Sequence, residues 1–333
     1  MSKVFVPLKG CTCPLCNKQN IPTVFPADSF DSEADATVLR NAMKGWGCDN
    51  AEIIQVLSKR NANQRVAIEE SYKNLYGRDL TDDLKDELGG NFERLVIAMM
   101  LPWPQVCARA IKKACKGVGT DEETLVDVLC TANNCQIKLI SEAYKAMYDD
   151  DLEEVLDKEL SGDFQKLMIA VSQAARHEDD AVDHARAQAD AQRLQEAGEL
   201  KLGTDEGVFT SVLVRNNYAQ LEAVSAAYQE LAGKTLEEAC ESELGGDLLS
   251  AAKTILAVAK NKDTFWATRL NDSMAGMGTD DKALITIVVL RSEIDLGNIM
   301  QEYQKLYEKD LAGAIESETS GDYKKLLLAL IGN

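Results

Sequence analysis

Apolar side chains recur at i, i+3 and i+4 through most of the chain, as in Val66, Ile68, Tyr72, Leu75 and Tyr76, or Leu284, Ile285, Val288 and Val289. That spacing lays one apolar stripe along an α-helix, and the every-second-residue alternation of a half-buried strand is mostly missing. Pro7, Pro14, Pro22 and Pro26 fall in the first 27 residues, and Pro102 and Pro104 bracket Trp103. Because proline is excluded from helix interiors, this placement marks a tail, a junction near residue 102 and long helical stretches elsewhere. The pattern predicts an all-α fold. The longest apolar runs, 95–101 and 284–290, fall well short of the ~18 residues of a membrane span and predict buried helices.

The chain repeats itself. Met43-Lys44-Gly45-Trp46-Gly47-Cys48-Asp49, Cys115-Lys116-Gly117-Val118-Gly119-Thr120-Asp121, Glu199-Leu200-Lys201-Leu202-Gly203-Thr204-Asp205 and Met274-Ala275-Gly276-Met277-Gly278-Thr279-Asp280 align, each ahead of a short apolar helix pattern. The central positions Gly45, Gly117, Lys201 and Gly276 are 72, 84 and 75 residues apart. The longer second interval places extra chain between repeats two and three. We therefore expect a tail over 1–27, repeats over 28–101, 102–175, 192–260 and 261–333, and a polar helical linker over 176–191. Within a repeat the breakers predict five helices, in the first roughly 33–44, 51–57, 63–76, 80–88 and 92–100. Thr120 with Glu123 has the spacing of a capping box at the start of a second helix. A second signature, acid-x-Gly or acid-x-x-Gly, precedes each fifth helix: Glu87-Leu88-Gly89, Glu159-Leu160-Ser161-Gly162, Glu243-Leu244-Gly245 and Glu318-Thr319-Ser320-Gly321.

The 333 residues are 45% apolar and 27% charged, enough to fold around a core. A net charge of −19 argues against binding nucleic acid through a basic patch, and it should repel an anionic bilayer unless something positive intervenes. The first residues carry no apolar stretch of a secretion signal. The nine cysteines, an odd number lying mostly in apolar stretches, suit reduced thiols. The expected location is cytoplasmic.

From the central residue of each first loop, an acid lies 42 residues downstream: Gly45 to Glu87, Gly117 to Glu159, Lys201 to Glu243, Gly276 to Glu318. Glycine lets a loop turn several carbonyls toward one point. A carboxylate at the same point completes an all-oxygen site. Three carbonyls and a bidentate Glu make five oxygens, which suits Ca²⁺ with its six to eight ligands and leaves positions for water or a lipid phosphate; Mg²⁺ fits less well. One such loop is commonly just the end of one helix and the cap of the next, but four copies with a fixed Glu argue for a cation. The acidic run from Asp149 to Glu154 lacks the glycine and acid spacing of an EF-hand.

These motifs resemble those of the annexin family, over essentially all of residues 28–333. Arg291-Ser292-Glu293-Ile294-Asp295-Leu296 and Ser320-Gly321-Asp322-Tyr323-Lys324-Lys325 resemble its fourth repeat. The resemblance implies four five-helix repeats in a curved disc with calcium loops on its convex face. It implies as ligands the carbonyls of Met43, Gly45 and Gly47 with Glu87; Cys115, Gly117 and Gly119 with Glu159; Gly198, Lys201 and Gly203 with Glu243; and Met274, Gly276 and Gly278 with Glu318. All four sites look intact. Cys48 and Asn50 stand where the family prefers Thr and an acid. An arginine shared as Arg60, Arg215 and Arg291 is Ala132 in the second repeat, and Cys107 and Ala110 stand where some members place acids beside a polar channel, so channel activity is not carried over. The implied function is calcium-dependent, reversible binding to acidic phospholipid membranes. The apolar residues between the loop glycines, Trp46, Val118, Leu202 and Met277, are candidates for membrane contact.

Cys11, Cys13 and Cys16 lack the fourth ligand of a structural zinc site. They read as a flexible tail, with partner binding or self-association through it next. His177 and His184, beside Asp180 and Asp183, read as surface-helix residues. No catalytic motif is present, and Gly233-Lys234-Thr235 lacks the earlier glycine of a phosphate loop, so an enzyme is not expected. The rival is a helical scaffold for protein partners, discriminated by binding that needs no lipid.

Overall fold

The computed structural model describes residues 20–333 apart from Trp46, Val118 and Met277. The regular structure among the described residues is nineteen α-helices and no strand. The first repeat comprises α1 (Ser32–Ala42), α2 (Asn50–Leu57), α3 (Ala62–Tyr76), α4 (Leu80–Glu87) and α5 (Gly90–Met99). Local chemistry sets these limits. The Asp31 carboxylate accepts from the Glu33 and Ala34 amides at the start of α1. Asn61 and Gln64 form a reciprocal capping box on α3, and Gly77, in the left-handed region at φ +66°, ends it.

The second repeat follows with α6 (Trp103–Ala114), α7 (Glu122–Leu129), α8 (Asn134–Tyr148), α9 (Leu152–Glu159) and α10 (Gly162–Ser172). Pro104 sits in the first turn of α6, where its missing N–H costs nothing. The third repeat has α11 (His184–Ala197), α12 (Glu206–Arg215), α13 (Tyr218–Ala232), α14 (Leu236–Glu243) and α15 (Gly246–Met274); the fourth has α16 (Asp281–Arg291), α17 (Leu296–Tyr307), α18 (Leu311–Glu318) and α19 (Gly321–Leu330). The long α15 breaks at Asn261, whose backbone is extended and whose Oδ1 accepts from the Asp263 and Thr264 amides, capping a new segment. Each repeat thus supplies five helical segments. In every repeat the third helix buries a tyrosine at the same position: Tyr72, Tyr144, Tyr228 and Tyr303.

The chain forms two compact units. One contains residues 20–106 and Trp266–Asn333, that is, the first and fourth repeats. In it α5 packs on α16 and α19, and α2 packs on α19. The crossings are reciprocal: Asn50 donates to Asp322 at 2.8 Å, and Asn91 donates to Asp281. The segment 21–27, expected as tail, is pinned here. The Thr23 and Val24 amides donate to the Ser292 carbonyl at 2.8 and 3.0 Å, Gly297 donates to the Ile21 carbonyl at 2.7 Å, and the Thr23 hydroxyl donates to the Leu330 carbonyl at 2.6 Å. The other unit, Cys107–Phe265, packs α10 on α12 and α11 on α13.

Three expectations change. The stretch 176–191 is helical only from His184, so His177 precedes the helix; its amide donates to the Arg215 carbonyl. Arg176 explains the extended path, since its guanidinium reaches the Leu213 and Asn216 carbonyls at 2.9 and 2.7 Å and caps the end of α12. Leu75, counted in the apolar stripe, is 45% exposed. The helix α7 is capped by Asp121, which accepts from the Thr124 amide, and not by Thr120. The acidic run from Asp149 to Glu154 works as helix caps: Asp149 ends α8 in the left-handed region and Asp151 starts α9.

Candidate metal site

Each first loop leaves the end of a first helix and closes on itself through one bond, Asp49 amide to Ala42 carbonyl, Asp121 to Ala114 and Asp280 to Ser273, at 2.7 to 2.9 Å. Between these anchors the two glycines hold φ values that side chains disfavour: +108° and +90° at Gly45 and Gly47, +123° and +85° at Gly117 and Gly119, +94° and +96° at Gly276 and Gly278. No heavy atom lies within 4 Å of where a Cβ would stand on any of the six. Glycine is therefore required here by backbone conformation and not by space.

The Glu picked out by the 42-residue spacing is the last residue of α4, α9, α14 and α18. The loop that follows contains one obligatory glycine, and the structure shows where: Gly90, Gly162, Gly246 and Gly321, at φ between +54° and +65°. The signature is Glu-x-x-Gly in all four repeats; the nearer Gly89 occupies an extended cap, and Gly245 is not at positive φ. The two loops of a repeat lie side by side. Thr120 donates its hydroxyl to the Glu159 carbonyl at 3.4 Å, Thr204 to Glu243 at 3.2 Å, and Thr279 to Glu318 at 3.3 Å. A helix leaves its last carbonyls without partners, so this threonine fills one of them and ties the loops together. The motif threonine thus acts as a loop tie and not as a helix cap. In the first repeat Cys48 takes its place, and burial with the nearby Glu87 and Asp49 charges pushes its thiol pKa up.

The third loop is built differently. Asp205 closes onto the Ala197 carbonyl at 2.8 Å, so this loop holds one residue more than the others. Of Gly198, Lys201 and Gly203, only Gly203 is in the left-handed region, at +83°. The added residue relieves the backbone at Lys201, which is how a lysine stands where the other loops need glycine. The Gly198 carbonyl accepts from the Lys201 amide at 3.0 Å. The Glu243 carboxylate accepts from the Thr204 hydroxyl at 2.9 Å and packs so closely on Gly198 that a Cβ there would meet its Cγ at 2.8 Å. Glu87, Glu159 and Glu318 are exposed, whereas Glu243 is half-buried.

Leu202 at the tip of this loop is fully exposed, and Leu200 is 67% exposed. Trp46, Val118 and Met277 lie outside the described residues, as do Cys11, Cys13 and Cys16. The six described cysteines are not in disulfides. Among the described residues no group of three or more His, Cys, Asp or Glu side chains is placed to hold a metal, so a cation bound here would draw on backbone oxygens with a single carboxylate per site. Gly233-Lys234-Thr235 is a helix end followed by a capping box with Glu238, not a phosphate loop.

Fold and loops together define an all-α protein of four homologous five-helix repeats, each presenting a glycine loop beside a helix-terminal Glu. A sequence model of the family named Annexin matches four segments, 34–99, 106–171, 189–255 and 265–330. Human annexin A7 is 43% identical over 310 residues, which cover 93% of this chain and 64% of that protein. Human annexin A13 is 44% identical over 302 residues, covering 91% of this chain and 96% of that protein. Among solved structures, one titled annexin III superposes with a TM-score of 0.91 at 37% identity, covering 94% and 97% of the two chains. Calcium-bound annexin (Sm)1 superposes with a TM-score of 0.80 at 33% identity, covering 94% and 93%. The chain belongs to the annexin family, and it spans just under two thirds of the length of annexin A7.

Proposed function

We propose that this protein binds acidic phospholipid membranes reversibly when calcium is present. The observation that carries the reading is the fourfold pairing of a glycine loop with the Glu at the end of the fourth helix, tied by a hydroxyl in three repeats. Carbonyls of Met43, Gly45 and Gly47 with Glu87, of Cys115, Gly117 and Gly119 with Glu159, of Gly198, Lys201 and Gly203 with Glu243, and of Met274, Gly276 and Gly278 with Glu318 would hold Ca²⁺. A bound ion would supply the positive charge that attracts lipid phosphate to these loops. A calcium-bound relative of the same fold supports this choice of metal.

The charge constrains the mode of attraction. Four Ca²⁺ ions change −19 only to −11, so attraction to an anionic surface must be local, within roughly a Debye length of ~8 Å. Weak sites on one chain reinforce each other through effective concentration, which makes the calcium dependence steep. Trp46, Val118, Leu202 and Met277 are the residues assigned to the headgroup boundary, and the exposure of Leu202 and Leu200 supports that role in the third repeat. No helix among the described residues is long and apolar enough to cross a membrane. The reading is of a cytoplasmic protein recruited to membrane surfaces on a calcium rise as a membrane organiser or trafficking factor, not an enzyme, with partner binding or self-association assigned to the N-terminal tail.

Co-sedimentation with phosphatidylserine vesicles across a calcium titration, reversed by chelator and with phosphatidylcholine as control, tests the reading. Glu87→Gln, Glu159→Gln, Glu243→Gln and Glu318→Gln combined should abolish binding; retained binding would refute the ligand assignment.

A further inference from the structure

The third loop is held by a set of contacts not found in the other three among the described residues. Glu199, inside the loop, accepts from the Tyr228 hydroxyl at 2.6 Å and pairs with the Lys234 ammonium at 3.0 Å. The same ammonium donates to the Ser242 hydroxyl at 3.1 Å, one residue before Glu243. Lys234 therefore joins the glycine loop to the helix end that carries the proposed carboxylate ligand, and Thr204 joins the same two parts from the other side.

The equivalent tyrosines do something else. Tyr72 donates to Asp83 on α4 at 2.6 Å, and Tyr303 faces Asn271 on the first helix of its repeat at 3.4 Å. The Tyr144 ring lies under the Lys112 ammonium, 5.8 Å from its centroid. Lys309 donates to Ser317 as Lys234 does to Ser242, yet the fourth loop opens with Met274 and Ala275, neither of them an acid, where the third has Glu199. No acid occurs in the other three loops between the helix end and the motif Asp. Among the described residues the link that runs from core tyrosine to loop to carboxylate is thus found in the third repeat alone, and it coincides with the one loop that carries an added residue.

A longer loop has more conformations to lose when its carbonyls converge on an ion. Fixing it beforehand removes that cost from binding. We infer that Glu199, Tyr228 and Lys234 are positioning residues that preset the third loop, so that ordering its added residue does not weaken calcium binding there. The inference rests on the calcium reading above.

The test uses the full chain carrying Glu87→Gln, Glu159→Gln and Glu318→Gln, so that only the third proposed site remains. Calcium affinity is read by calorimetry, and amide hydrogen exchange over residues 199–204 is read without calcium. Tyr228→Phe keeps the buried ring and the net charge but removes the hydroxyl. We expect calcium to bind about tenfold more weakly and the calcium-free loop amides to exchange faster, with exchange elsewhere in the chain unchanged. Adding Lys234→Met sharpens the case, because removing a positive charge should by Coulomb attraction alone tighten calcium binding, whereas release of the loop weakens it further. Unchanged or tighter binding in these variants would overturn the positioning role while leaving the ligand reading intact. No binding by the parent with Glu243 present would overturn the ligand reading, and the positioning role with it.

Discussion

Thr204 donates its hydroxyl to both the carbonyl and the carboxylate of Glu243, at 3.2 and 2.9 Å, and so connects two loops that lie 39 residues apart in the chain. Thr120 and Thr279 make the carbonyl half of this connection in their own repeats. Cys48 stands at the fourth position with a thiol, a much weaker donor.

Cys48→Thr should therefore stabilise the first repeat, because it supplies a hydroxyl beside the Glu87 carbonyl with little change of volume. A hydrogen bond of this kind contributes about 0.5–1.5 kcal/mol, and because the Thr120 bond is exposed, Thr120→Ala should lose an amount at the low end of that range in the second repeat. Urea unfolding without calcium measures both. A Cys48→Thr midpoint at or below that of the parent would mean that the tie has no energetic weight.

The helices were legible in the sequence because their limits are set by local chemistry. The expected 51–57, 63–76 and 80–88 fall within one residue of α2, α3 and α4. Repetition at a fixed spacing also singled out the four Glu residues that end α4, α9, α14 and α18. What the sequence hid depends on contacts between segments. Thr120 looks like a cap until Glu159 is seen beside it, whereupon Asp121 caps the helix. The extra residue of the third loop disappears in an alignment anchored on Gly203-Thr204-Asp205 and emerges only from the Asp205–Ala197 bond. The glycine of the second loop is ambiguous in Gly89-Gly90 until φ assigns the role to Gly90. Asn61 with Gln64 and Asn133 with Gln136 also have capping-box spacing in the sequence and do form such boxes.

Two glycine substitutions should fail for different reasons. At Gly117 the cost is φ alone, since nothing lies within 4 Å of a new Cβ; Gly117→Ala should cost about 1–2 kcal/mol. At Gly297 a Cβ would stand 2.6 Å from Ile21 Cγ2 and 2.7 Å from the Ile21 carbonyl. Gly297→Ala should release the pinned segment near Ile21, seen as faster proteolysis before residue 30. Adding Ile21→Ala should not restore it, because the carbonyl remains in the way; full protection in the double variant would show that the side chain was the whole obstacle.

Asp83 gives the fold a pH dependence. It is buried on α4 and accepts from Arg78, from the Tyr72 hydroxyl at 2.6 Å and from Arg40 at 3.4 Å. Arg78 first, then Tyr72, hold its carboxyl below the ordinary value against the opposing effect of burial. A depressed folded pKa means that the stabilisation is present above the unfolded value of about 3.9 and is lost as pH falls through the lower folded value. Asp83→Asn should lower stability at pH 7 by about 2 kcal/mol and flatten the loss of stability on acidification below about pH 4. Parallel acid-unfolding curves for parent and variant would count against this assignment.

Arg65 joins the first and fourth repeats, and the magnitudes decide which of its contacts matters. The guanidinium is buried, and burial lowers its pKa against the opposing pull of Glu293. Its Nε donates to the Leu57 carbonyl at 2.9 Å and its Nη1 to the Met99 carbonyl at 3.0 Å, the last residues of α2 and α5. It also meets Glu293 at 3.0 Å, whose side chain remains 29% exposed. A part-exposed acid can be rehydrated, so the ion pair is worth about 1 kcal/mol or less, whereas two helix-end carbonyls left in the core cost about 1–3 kcal/mol each. Glu293→Gln keeps an acceptor for Arg65 and for the Ala62 amide it also holds at 2.9 Å. Arg65→Met should therefore destabilise the protein by about 3 kcal/mol or more, and Glu293→Gln by about 1. A denaturation series in which Glu293→Gln is the more damaging change would assign the contact between these repeats to the ion pair instead of the helix ends.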